Sequence, residues 1–69
     1  MISYEPFWSI IKEKGVSTYK LIHKFGVSNG TLYRMKKGSN LSTSTINELC
    51  KILDCKVEDI LVYIKDKED

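Results

Sequence analysis

Apolar residues recur along this chain in short groups with a helical period, and each group is bounded by serine, glycine, proline or aspartate. The spacing predicts five short helices. The first opens at Pro6, a residue suited to the first helical position, carries Phe7, Ile10 and Ile11, and ends before Gly15. The second opens with Ser17 as N-cap, sets Leu21, Ile22 and Phe25 on one side, and ends at Gly26. The third opens with Ser28, turns Leu32 and Met35 inward, and ends at Gly38. Helix four has the clearest start, with Ser42 as cap and Leu41 placed to staple onto Ile46. Ile46, Leu49, Cys50 and Leu53 then form a core-facing stripe that Asp54 stops.

Val57, Ile60, Leu61 and Ile64 repeat that spacing and predict a fifth helix, with Glu58 and Asp59 at its positive end. A second reading of the termini stays open. Ile2-Ser3-Tyr4 alternates apolar and polar residues, and Val62-Tyr63-Ile64 is β-branched and aromatic. The two segments suit a short β-ribbon, in which case helix five ends early. The tail, residues 65–69, is charged and expected to fray. No linker, repeat or low-complexity run divides the chain, so residues 1–69 read as one domain.

Charge changes this picture more than composition does. The net charge is only +2. Residues 1–39, however, hold seven Lys or Arg against two acids, a net of +5, and residues 40–69 hold four Lys against seven acids, a net of −3. Between Ser17 and Ser39 stand Lys20, Lys24, Arg34, Lys36 and Lys37, with no acid among them. Such asymmetry suits either a polyanionic partner or a solvated basic face. Two cysteines, Cys50 and Cys55, are too few for a four-ligand zinc site and read as small core hydrophobes in a reducing cytoplasm. The expectation is a cytoplasmic protein with no metal, no cofactor, no membrane segment and no small-molecule substrate. One histidine, no phosphate-binding loop and no credible nucleophile–base pair argue against an enzyme.

The informative unit is the pair of helices joined by Gly26-Val27-Ser28, where a left-handed glycine permits a tight turn. Leu21, Phe25, Val27, Leu32 and Met35 are the positions expected to lock the pair at a steep angle, forming a helix-turn-helix over about residues 17–38. STYKLIHKFGVSNGTLYRMKKG resembles the helix-turn-helix of the Cro/C1-type (XRE, phage repressor-like) family of bacterial and phage regulators. LSTSTINELCKILDCKVEDIL resembles the two helices that usually follow it. The resemblance covers roughly residues 7 to 64. It departs at Ile22, where the family usually has a small Ala, at Thr18, where many members have Gln, and at Lys36, where many have Glu. These departures bear on single contacts rather than on the fold.

The resemblance implies an all-α, compact five-helix, lambda-repressor-like DNA-binding domain, with the terminal ribbon as an addition. It also implies that helix three enters the major groove of a double-stranded operator. Asn29, Gly30, Thr31, Tyr33 and Arg34 are then the base-reading candidates: Asn pairs bidentately with adenine, Arg with guanine, and Gly30 admits close approach. Ser17, Thr18, Ser28, Lys36, Lys37, Ser42, Thr43 and Ser44 are the phosphate candidates, at helix starts or on the basic face. Capping alone is the plainer role for the serines and threonines, and solvation the plainer role for the lysines. A homodimer on a pseudo-palindromic operator is expected, with Ile2, Tyr4, Leu61, Val62, Tyr63 and Ile64 as its surface. The competing reading is a protein-interaction adaptor or antitoxin-like module with secondary or lost DNA binding.

Overall fold

The computed structural model describes residues 1–66. Strand β1 (Ile2–Ser3) leads into α1 (Glu5–Glu13), α2 (Thr18–His23), α3 (Asn29–Lys37) and α4 (Thr43–Leu53). A single 3-10 turn (Val57–Asp59) and strand β2 (Val62–Tyr63) complete the order. Four α-helices therefore stand where five were expected, and the ribbon reading of the termini is the correct one for the described residues.

The fifth helix fails for a reason visible in its own pattern. Of its four apolar positions, Ile60 alone is buried, while Val57 and Ile64 are 53% and 44% exposed. The 3-10 turn suffices to deliver Ile60 to the core. Its start is fixed by the Asp59 carboxylate, which accepts from the Lys56 backbone N–H at 3.0 Å. Beyond it, the β-branched and aromatic residues extend and pair antiparallel with β1, Ile2 opposite Tyr63 and Ser3 opposite Val62. The Ile64 N–H donates to the Met1 carbonyl at 2.7 Å and lengthens the ladder by one bond.

The core draws its fully buried side chains from four separate segments: Phe7 of α1, Leu21 of α2, Leu49 of α4, and Ile60 after the 3-10 turn. Tyr4, Ile11, Leu32, Met35 and Leu53 complete it. No short helix here could stand alone in water, since isolated helices below about 12 residues are marginal. Tertiary burial must hold each one.

The helix ends are closed with economy. Gly38 adopts φ 73° after α3, and the Gly38 and Ser39 N–H groups return to the Met35 and Arg34 carbonyls at 3.2 and 2.8 Å. Asp54 performs the same left-handed closure of α4 at φ 50°. Tyr4 then ties the N-terminal segment to the α3–α4 connection, because its hydroxyl donates to the Ser39 carbonyl at 2.7 Å. With 6% exposure Tyr4 belongs to the core, which corrects its expected place on a dimer surface. Phe25 is corrected in the opposite sense. It lies past the end of α2, 39% exposed, with the Lys24 ammonium 5.7 Å from its ring centre.

Replacing Tyr4→Phe removes one hydrogen bond without opening a cavity. A loss of about 1 kcal/mol is expected, which in a domain of this size lowers the melting midpoint by about 4–8 °C. A midpoint equal to wild type would show that the tie to Ser39 contributes nothing.

Candidate nucleic-acid interface

Helix α3 owes its position to three inward residues, Thr31, Leu32 and Met35, all buried. The α2–α3 turn sets its angle. Gly26 sits at φ 75°, a conformation that a Cβ resists, and the Val27 N–H donates to the Leu21 carbonyl at 2.9 Å. Ser28 caps the helix, its Oγ accepting from the Thr31 N–H at 3.1 Å. The remaining residues of α3 face out. At 100° per residue, Gly30, Tyr33 and Lys37 run along the centre of the outer face, with Asn29 and Lys36 on one flank and Arg34 on the other.

The base-reading candidates separate on this geometry. Asn29, Gly30, Tyr33 and Arg34 are exposed together, and Tyr33 is 60% exposed with the Lys37 ammonium 5.6 Å from its ring centre. Thr31 is corrected. It is 6% exposed, and its hydroxyl shares a hydrogen bond of 2.9 Å with Ser28 Oγ, so it braces the helix start and presents nothing outward. Asn29 and Tyr33 line a shallow cleft of about 240 Å³ with Thr18 of α2, Trp8, Ile22 and Lys36. The start of α2 and the leading flank of α3 thus share one surface.

Among the phosphate candidates, all three N-cap serines use their oxygen to accept. Ser17 takes the Lys20 N–H at 3.1 Å, Ser28 that of Thr31, and Ser42 that of Thr45 at 3.2 Å. Ser28 is further committed to Thr31, and Ser42 makes hydroxyl contacts with Ser44 and Thr45 at 3.1 and 2.9 Å. Thr18, Thr43, Ser44, Lys36 and Lys37 are exposed. Tyr19, which no motif in the sequence marks, is 71% exposed on α2 and packs against His23 with ring centres 4.2 Å apart and planes tilted by 36°. Their i, i+4 spacing was the available signal.

Lys20, Lys24, Arg34, Lys36 and Lys37 are all exposed, and none has a carboxylate within ion-pair distance among the described residues. The positive charge of this face is left uncompensated. No cluster of three or more His, Cys, Asp or Glu suited to a metal occurs among the described residues. No helix there is long and apolar enough to cross a membrane. On the ribbon, Ile2, Val62, Tyr63 and Ile64 are exposed and Leu61 is half-buried.

A helix-turn-helix whose second helix turns an unpaired, basic outer face to solvent defines a class of nucleic-acid-binding domain. The comparisons narrow it. The Cro/C1-type HTH DNA-binding domain model matches residues 7–66, and the chain belongs to that family. No curated protein matches it significantly in sequence. Among solved structures it is similar to the transcriptional regulator VanUg in its crystal form II, with a TM-score of 0.83 and 25% identity over 94% of this chain and 87% of that one.

The cysteines lie away from this face. Cys50 and Cys55 are free and half-buried, lining a groove between α4 and the 3-10 turn rather than the core proper. Burial, then the neighbouring Cys50, pushes the Cys55 thiol from 9.0 up to about 11. The neutral thiol is the stable form, so alkylation of Cys55 at pH 8 should run about tenfold slower than for an ordinary exposed thiol, the smaller thiolate fraction being partly offset by the greater nucleophilicity of a more basic thiolate. Site-resolved alkylation against pH checks this, and a rate that levels off near pH 9 would refute it.

Proposed function

We propose that the protein is a sequence-specific, double-stranded DNA-binding transcriptional regulator, acting as a homodimer and repressing by occupying its operator. Helix α3 lies in the major groove in this reading. Asn29 and Arg34 read base edges, and Tyr33 adds contact across the outer face. Lys36, Lys37, Thr18 and the exposed hydroxyls at the starts of α2 and α4 meet the phosphates on either side. The observation that carries the proposal is the outer face of α3: no part of the described chain covers it, and its charges have no acidic partner there. A basic surface without partners is one that phosphates can neutralise with release of counterions.

The homodimer rests on the ribbon. Ile2, Val62, Tyr63 and Ile64 leave apolar surface in water on a ribbon of two strands, and such an edge is prone to pairing. Two copies on one operator place their recognition helices in half-sites about 34 Å apart, one turn of the duplex. An adaptor that binds only protein would use the same ribbon, but it would leave the unpaired charge of α3 without a role.

Selection of bound fragments from random duplex DNA, followed by titration over a range of salt, tests the reading. An enriched two-fold symmetric site and a steep fall of affinity with salt are expected. Lys37→Ala should weaken binding to all sequences alike and reduce the salt slope by about one. No enrichment, or affinity indifferent to salt, would remove DNA as the ligand. Tyr63→Lys should shift the free protein toward monomer in sedimentation and broaden the protection to single half-sites. An unchanged sedimentation profile would place the dimer surface elsewhere.

A further inference from the structure

Glycine is a poor helix former, and at position 30 no positive φ calls for it. The positive-φ glycines are Gly15, Gly26 and Gly38, and Gly30 is an ordinary helical residue near the start of α3. What its missing side chain leaves room for is another residue. A Cβ at this position would sit 3.3 Å from Arg34 Nη1, so the guanidinium would have to give by a few tenths of an ångström, and in ordinary contact at 3.8 Å from Ser28 Oγ. Arg34 follows one turn later, and helical side chains lean toward the N-terminus, so its guanidinium lies back over the glycine. The second guanidinium nitrogen is 3.5 Å from Thr31 Oγ1, which Ser28 Oγ holds at 2.9 Å.

We infer that Gly30 is a specificity-determining position: its absent side chain seats the Arg34 guanidinium over the first turn of α3, and the Ser28–Thr31 pair braces it there. The inference rests on the DNA-reading role proposed above and names how that role is set. A guanidinium at the positive end of a helix is not drawn there by the helix dipole, and no carboxylate among the described residues holds it. Shape holds it. Seated at the leading end of α3, it keeps most of its five N–H donors free for a pair of acceptors such as guanine O6 and N7. Less side-chain freedom is then lost on binding. Thr31 is a positioning residue in this scheme, which explains why a hydroxyl is buried at a site where sequence suggests base contact.

The test compares wild type, Gly30→Ala, Arg34→Ala and the double variant on a duplex selected by the wild-type protein and on random duplex. Alanine favours the helix, so Gly30→Ala should melt no lower than wild type, and loss of fold cannot mimic the effect. It should bind the selected duplex about three- to tenfold more weakly, lose less than that on random duplex, and relax preference at the same base pair as Arg34→Ala. In the Arg34→Ala background it should have no further effect. An equal loss in that background would mean that the methyl group meets DNA directly, and would overturn the seat. Side-chain NMR of the DNA-free protein supplies an independent reading. The Arg34 Nε–H heteronuclear NOE should be high in wild type and fall in Gly30→Ala and in Thr31→Val. An NOE already low in wild type overturns the inference whatever the DNA results, whereas a failure to select any duplex, with the NOE pattern intact, removes the DNA reading and the specificity role but leaves the seat standing.

Discussion

The exposed basic face of this molecule depends on holding a nine-residue helix by a narrow inner strip. Helix α3 is too short to persist in water by itself. Leu32 and Met35 supply its apolar anchorage and Thr31 closes its first turn, so three positions of nine are spent on attachment. The rest remain free of packing duties. A wider apolar face would anchor the helix more firmly and would also cover the flanks where Asn29 and Arg34 stand. The fold resolves this by fixing the helix through its ends, with Ser28 at one and the left-handed Gly38 at the other.

Those caps offset a poor helical composition. Asn29, Gly30 and Thr31 all rank low in helix propensity, and three cations share the second half with no acid at i±4. Basic residues near a helix C-terminus do gain from the dipole, which favours Lys36 and Lys37 where they are. Arg34 belongs to that favourable end by its backbone and leaves it by its side chain. Local stability is spent at the leading turn, where a docked duplex would come closest.

Much of this was legible in the chain because the signals were local. Ser17, Ser28 and Ser42 cap as their spacing predicts, and Gly26 and Gly38 take the left-handed conformations that the turns require. The tail of the fold was less legible, because Val57, Ile60, Leu61 and Ile64 satisfy a helical period by coincidence, while a 3-10 turn takes the first of them and Val62 and Tyr63 pair with the far end of the chain. Tyr4 shows the same limit: its burial depends on Ser39, thirty-five residues away, and no local pattern announces it. Within the recognition surface, Asn29, Tyr33 and Arg34 were readable as outward positions, whereas Thr31 was not. Its inward turn follows from the pitch of α3 against the core, and its hydroxyl is satisfied by Ser28 rather than left for a ligand.

The charge division of the sequence acquires a physical meaning on this fold. The basic excess lies in residues 1–39, which include α2 and α3, and the acidic excess lies in the segment that begins before α4. A protein of net +2 would otherwise be drawn only feebly to a polyanion. Separating the signs concentrates positive charge over α2 and α3 and gives the molecule an orienting moment toward a polyanion. The same separation makes the ribbon, with Val62, Tyr63 and Ile64 exposed, an apolar surface remote in sequence from the basic stretch. In the homodimer proposed above, contact with a second copy there would leave the basic face of α3 to the phosphates.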